Sequence, residues 1–155
     1  MLIRRAQPDD AEAAATVLRR SITELCAEDH RGDAATLAAW LANKTPDSVR
    51  RWVGNQHLFV AEKDGAILGV AALAPAGEIT LNYVSPDARF RGVSRALVAR
   101  LEQDASRLGV AAIKLTSTAT ARRFYAACGY AAAGPPVRGF GITQGFPMTK
   151  RLGVT

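Results

Sequence analysis

The segment from His57 to Val84 restricts the fold more than any other part of this sequence. HLFVAEK and AILGVAAL are apolar, rich in β-branched residues, and separated by Asp64-Gly65. That dipeptide suits the two left-handed positions of a tight hairpin turn, so the runs read as adjacent antiparallel strands. EITLNYV follows Gly77 as a third strand. Strict alternation puts Ile79, Leu81 and Tyr83 on one face and Glu78, Thr80, Asn82 and Val84 on the other. Such strands must bury a face, and the covering helices have to come from the flanking sequence.

The flanks supply them. LIRRA suits a short strand, and Pro8 suits the first turn of a helix in which Ala11, Ala14, Ala15, Leu18, Ile22 and Leu25 recur at helical spacing. TLAAWLANK and PDSVRRWV give two more helices, with the polar stretch AEDHRGD as a connection. Past the third strand, Val93, Ala96, Leu97, Leu101, Ala105 and Leu108 share one side of a helix that Gly109 would cap. AAIKLT then reads as a strand and ATARRFYAAC as a short helix closed by Gly129. The tail YAAAGPPVRGFGITQGFPMTKRL reads as short strands ending in a hairpin. This order predicts one layered α/β (α+β) domain over residues 1–155 with a mixed central sheet.

Composition narrows the function classes. A 155-residue chain with 48% hydrophobic and 22% charged residues is ordinary for a globular domain. The net charge of +6 comes from scattered Lys and Arg, with few aromatics, so neither nucleic-acid binding nor a base-stacking platform is favoured. No apolar run is long enough for a signal peptide or a membrane span, which points to the cytoplasm and no membrane partner. The two cysteines, Cys26 and Cys128, make no disulfide framework. Cys26 and His30 stand four residues apart, but two ligands alone do not make a metal site.

The chemistry concentrates in VSPDARFRGVSRAL, Val84–Leu97, where three arginines surround Gly92 at the start of a helix. A helix start favours anions, and a glycine turn ahead of it can present backbone N–H groups in a ring suited to a pyrophosphate. Ser94 adds a hydroxyl, and Arg89 and Arg91 can hold oxygens from the rim. The pattern lacks both the phosphate-loop lysine and the triple glycine of a dinucleotide fold. A solvated basic turn is the alternative reading.

Arg89-x-x-Gly92-x-Ser94 resembles the Q/R-x-x-G-x-G/A signature of the GCN5-related N-acetyltransferases, with Val84-x-Pro86 ahead of it as in that family. Ala121-Arg122-Arg123-Phe124-Tyr125, running on to Gly129-Tyr130, is similar to the family's A-x-x-F-Y-x-x-x-G-F/Y segment. Met148–Leu152 resembles its final strand. The resemblance implies a mostly antiparallel sheet of six to seven strands flanked by helices, with acetyl-CoA as the co-substrate. It places the cofactor in a splayed gap between EITLNYV and AAIKLT. Val84 would pair with the pantetheine arm, and the pyrophosphate would meet Arg89, Phe90, Arg91, Gly92, Val93 and Ser94. Thr118 stands where the family often has Asn against the pantetheine. Phe90 stands where glycine is common, and an ordinary backbone conformation is expected for it.

The resemblance further implies that Tyr125 protonates the leaving thiolate, whereas periodicity alone reads Phe124 and Tyr125 as core aromatics. Glu78, six residues before Val84, corresponds to a glutamate base, and alternation gives the two a common face if no bulge intervenes. A solvated strand start is the other reading of Glu78. Glu24 and His30 are weaker candidates for the base. The expected reaction is direct attack by a primary amine of a small molecule or peptide, with no acyl-enzyme and no nucleophilic role for Cys128. The acceptor would lie near SITELCAEDHRGD and LAAWLANK with the tail hairpin opposite, and Glu24, Glu28 and Asp29 could attract it. A CoA-binding sensor without turnover is the alternative, self-association into a homodimer is left open, and a DNA-binding row of Arg89, Arg91, Arg95 and Arg100 is the weakest reading.

Overall fold

The computed structural model describes residues 1–153. Strand β1 (Leu2–Arg5) leads through a 3-10 turn into helix α1 (Ala11–Leu25), followed by α2 (Ala27–His30), α3 (Ala34–Leu41) and α4 (Pro46–Asn55). Strands β2 (His57–Lys63), β3 (Ala66–Leu73) and β4 (Glu78–Val84) come next, then α5 (Val93–Arg107), β5 (Ala112–Ser117) and α6 (Arg122–Ala127). The chain closes with β6 (Ala131–Ala132), β7 (Val137–Arg138) and β8 (Gln144–Arg151). The order across the sheet is β1-β2-β3-β4-β5-β8-β6, with β7 also on β8. Among the described strands only β4 and β5 run parallel. The described strands number eight, beyond the six or seven expected, because the tail adds two strands of only two residues each.

Local chemistry accounts for the element ends. Asp64 and Gly65 both adopt positive φ, 51° and 81°, and close the β2–β3 hairpin between Lys63 and Ala66. Asp33 accepts from Thr36 N at 3.0 Å and starts α3, and Thr45 accepts from Ser48 N at 3.2 Å ahead of Pro46 at α4. The stretch AEDHRGD contains the short helix α2, closed by Arg31 at φ 51°. Leu108 was expected on the buried side of α5 but is 49% exposed, because the helix stops at Arg107.

The sheet is covered on both faces. Phe59, Ala71, Leu73 and Ile113 pack with Leu97 and Leu101 of α5, while Leu58, Val60, Val70 and Ala72 pack with Leu18 of α1 and Val49 of α4. Alternation along β2 and β3 thus serves two cores. Gly69 lets α5 sit close, since a Cβ there would lie 2.7 Å from Val93 Cγ1 and 2.9 Å from Leu97 Cδ1.

Strand β4 departs from strict alternation. Leu73 pairs with Ile79 but Ala72 pairs with Leu81, so Thr80 is an extra residue in a β-bulge. Ile79 therefore joins the α5 core while Leu81 and Tyr83 join the α1 core, and the expected common face of the three does not exist. The same bulge removes the argument that Glu78 shares a face with Val84. Among the described residues, no helix is long and apolar enough to cross a membrane.

Candidate functional site

The parallel strands β4 and β5 pair only at Glu78–Lys114 and Ile79–Leu115. Beyond those pairs they diverge, and the edge of β4 that faces β5 has no strand partner. A cavity of about 500 Å³ opens at the divergence, walled by Asn82 and Val84 of β4, Thr116 of β5 and Tyr125 of α6, and reaching the start of α5. A free strand edge can take an extended amide chain as an added strand.

The start of α5 forms the far end of this cavity. Its first backbone bond runs from Ala96 N to Gly92 O at 3.1 Å, so the N–H groups of Val93, Ser94 and Arg95 have no partner within the helix. Gly92 is left-handed at φ 76°, and a Cβ there would meet nothing within 4 Å. Phe90 is left-handed too, at φ 64°, contrary to the ordinary conformation expected for it. Two left-handed residues flanking Arg91 curl the backbone into a concave turn ahead of the helix dipole, the arrangement that favours an anion. The Phe90 ring is 89% exposed and carries the Arg89 guanidinium 4.5 Å above its centroid. Arg89, Phe90, Gly92, Val93 and Ser94 all line the cavity, and Arg91 is exposed outside it.

Tyr125 is 6% exposed, packed edge-on against Phe124 and Tyr130. It is thus a core aromatic, as periodicity alone reads it, and it also lines the cavity. Asn82 Nδ2 donates to that hydroxyl at 3.2 Å, leaving the phenolic proton uncommitted. Burial pushes the phenol up to about 12, against the opposing effect of the Asn82 bond. Asn82 Oδ1 is buried without a hydrogen-bond partner among the described residues, an acceptor suited to an N–H of a ligand in the cavity.

The loop after β5 is clamped from the N-terminal helices. Asp29 is 6% exposed and accepts from Ala119 N at 2.7 Å, Thr120 N at 3.2 Å and Thr120 Oγ1 at 2.5 Å. Thr118 Oγ1 accepts from Ala121 N at 3.1 Å, which secures the first turn of α6, and Thr118 lines the cavity. Asp29 thus organises the loop that carries Thr118 and the helix that carries Tyr125.

Other predicted residues stand elsewhere. Glu78 is half-buried at the start of β4 and lines neither this cavity nor the second one described below. Glu24 pairs with Arg20 at 2.9 Å, and Arg20 also holds Asp87 at 2.9 Å. His30 is buried with Nε2 against the carbonyls of Ile22 and Thr23 and Nδ1 accepting from Gly32 N. Cys26 is buried, its thiol pushed up to about 12 by desolvation, and no metal-ligand cluster of three or more forms among the described residues. The Cys128 thiol is likewise raised by burial, which disfavours the thiolate. Arg100 is held by the buried Asp104 and by the Phe59 ring, so it does not join a free basic row with Arg89, Arg91 and Arg95.

A second cavity, about 390 Å³, shares Thr80, Leu81 and Tyr83 of β4 and Thr116, Ser117 and Thr118 with the first. The two therefore meet at the divergence of β4 and β5. Its outer wall is formed by Trp40, Lys44, Trp52 and Phe140. Trp40 stacks on Phe140 at 5.9 Å, and its Nε1 donates to Tyr83 Oη at 3.3 Å. Sequence reasoning singled out neither Asn82, Lys44 nor Phe140 as functional. Alternation counted back from Val84 would have found Asn82. Nothing local signals Lys44, which is enclosed only because the loop before β8 folds over it.

The chain matches the acetyltransferase (GNAT) domain family over residues 26–152. A GCN5-related N-acetyltransferase from Rhodopseudomonas palustris superposes with a TM-score of 0.88 at 27% identity, covering 97% of this chain and 95% of that one. The PaiA N-acetyltransferase from Thermoplasma acidophilum, solved in complex with coenzyme A, gives 0.80 at 16% identity over 97% and 98% of the two chains. The yncA protein from Salmonella typhimurium, solved with its cofactor acetyl-CoA, gives 0.76 at 19% identity over 100% and 95%. No curated protein matches the sequence.

Proposed function

The chain belongs to the GNAT acetyltransferase family, which makes acetyl-CoA its co-substrate, and on that premise we propose that it acetylates a primary amine of a small molecule or peptide by direct transfer. The observation that carries the reading is a pair of cavities that share Thr80, Leu81, Tyr83 and Thr116–Thr118 at the β4–β5 divergence, with Tyr125 on the wall of the first. The first cavity takes acetyl-CoA. The unpaired N–H groups at the start of α5 hold its pyrophosphate, Arg89 attends from the rim, and the free edge of β4 up to Val84 pairs with the pantetheine amides.

The second cavity delivers the amine to the thioester. The neutral amine nitrogen attacks the carbonyl carbon, the C–S bond breaks, and Tyr125 gives its proton to the departing sulfur. The proton shed by the nitrogen as the amide forms returns through solvent to the phenolate. Asn82 serves this step as a positioning residue. By donating to the phenol oxygen it keeps the phenolic proton free for the sulfur, and its Oδ1 accepts an N–H of the bound substrate. The raised phenol keeps that proton in place at neutral pH. Glu78 is given no part, because it faces neither cavity. Cys128 is given none either, because burial holds its thiol protonated.

Thiol release from acetyl-CoA, followed over a panel of amines, tests the proposal. Tyr125→Phe should lower the maximal rate by roughly a hundredfold to ten-thousandfold, the range of a lost general acid, while CoA affinity stays within about twofold. Glu78→Gln should leave the rate near wild type. A wild-type protein that binds CoA but releases no thiol with any amine would instead favour the sensor reading.

A further inference from the structure

We propose that the second cavity takes an amine that carries a carboxylate on an apolar body, and that Lys44 is the anchor for that carboxylate. The inference rests on the reading that this cavity receives the acceptor.

Lys44 is an unusual residue to find enclosed. It is 4% exposed, although lysine is almost never fully buried without a partner of opposite charge. Its Nζ donates to Trp40 O at 3.3 Å and to Asn43 Oδ1 at 2.6 Å, and the Phe140 ring centroid lies 5.5 Å away. The bond to Trp40 O satisfies a carbonyl at the end of α3, which accounts for where the ammonium sits. It does not neutralise the charge. All these contacts are to uncharged groups, and among the described residues Lys44 has no carboxylate partner.

Asp29 is the other charged residue on the cavity wall, and both of its oxygens are already engaged by Ala119 and Thr120. The two charges on the wall balance in number, but Lys44 keeps one N–H without a partner among the described residues while both Asp29 oxygens are engaged. Lys44 is therefore the charged group that can still receive a ligand. Burial pushes Lys44 down to about 8, so the amine still holds its proton at neutral pH, and an incoming anion would strengthen that hold. One lysine with no arginine beside it matches the single charge of a carboxylate better than a phosphate dianion. It also disfavours polycationic amines.

The rest of the wall sets the body of the ligand. Trp40, Trp52, Leu81, Tyr83 and Phe140 give it an apolar side beside polar residues such as Gln56, Thr80 and Thr143, and Phe140 is 41% exposed. The β4–β5 divergence, where the amine must meet the thioester, contributes Thr80, Leu81, Tyr83 and Thr116 to the wall of the same cavity as Lys44. An acceptor held here thus turns its amine to the divergence and its carboxylate to Lys44, with its apolar body against the aromatic residues of the wall.

The test compares phenylalanine, methionine and leucine, each against its own carboxamide, as acceptors in thiol release from acetyl-CoA. The free acids should show KM values roughly tenfold to a hundredfold below those of the amides, the worth of one charge-assisted contact. In Lys44→Met that ratio should fall towards one. Equal KM values in the wild type, or a preference that survives Lys44→Met, would overturn the proposal. The wild-type comparison stands even if the variant does not fold. Should no amine release thiol, the transfer reading fails, and calorimetry of the same pairs on the CoA-loaded protein still decides this inference. Tighter binding of the acids then sustains it, and no binding of any acid overturns it.

Discussion

Phe90 shows how a single backbone angle bears on the site. At φ 64° a side chain crowds its own carbonyl, at a cost of about 1–2 kcal/mol, and with the ring 89% exposed little burial offsets it. Glycine relieves that strain but loses about 0.5–1 kcal/mol of chain entropy and the exposed Arg89 stack. Phe90→Gly should therefore leave the melting temperature unchanged or slightly raised. Phe90→Val should lower stability by about 1 kcal/mol, because a β-branched residue tolerates this region worst. Denaturant melts of the three proteins check the ordering, and a valine variant as stable as glycine would contradict it. The residues around Gly92 pointed to an anion site from the sequence. The angle of Phe90 was not legible there, because a phenylalanine carries no signal for a left-handed backbone, and only its place in a glycine-prone position hinted at one.

Elements bring the residues together through two close fits. Helix α5 approaches β3 at Gly69, where a methyl group would lie 2.7 Å from Val93. Gly69→Ala should destabilise by about 1–3 kcal/mol through overpacking. It should also weaken CoA binding, since Val93 opens the helix that ends the cavity. Unchanged stability and CoA affinity would show that α5 is not held as tightly as described. The second fit is the bulge at Thr80. The hairpin at Asp64-Gly65, the helix after Gly92 and the order of elements along the chain were readable from turn residues and periodicity. The bulge was not, because EITLNYV alternates well enough to look like a regular strand. Its consequence is large, for it sends Ile79 and Leu81 to different cores and removes Glu78 from the company of Val84.

At the scale of the whole molecule, the enclosed groups give stability a pH profile. Lysine ordinarily titrates near 10.5, but Lys44 does so at about 8 when folded. Between those values the unfolded chain holds the extra proton, so stability should rise with pH at roughly 1.4 kcal/mol per unit. Cys26 and Cys128 are raised by burial above the usual 9, and Tyr83, Tyr125 and Tyr130 above the usual 10. From about pH 9 upward the unfolded chain loses thiol and then phenolic protons that the folded state keeps, which opposes the Lys44 contribution and then outweighs it. Urea midpoints from pH 7 to 11 should pass through a maximum near pH 9 and lose the rising limb in Lys44→Met, and a steady decline from pH 8 would contradict this. Such long-range enclosure, like the loop that covers Lys44, lies beyond local sequence reading. The account as a whole turns on the cavity between β4 and β5 being the CoA site. Calorimetric titration of CoA into the wild type and Gly92→Glu tests that most directly. A Cβ at Gly92 meets no atom within 4 Å, so the variant bears backbone strain without a clash, while its carboxylate opposes the pyrophosphate. The predicted result is binding by the wild type and at least a tenfold loss in a folded Gly92→Glu; equal affinity in the two would contradict it.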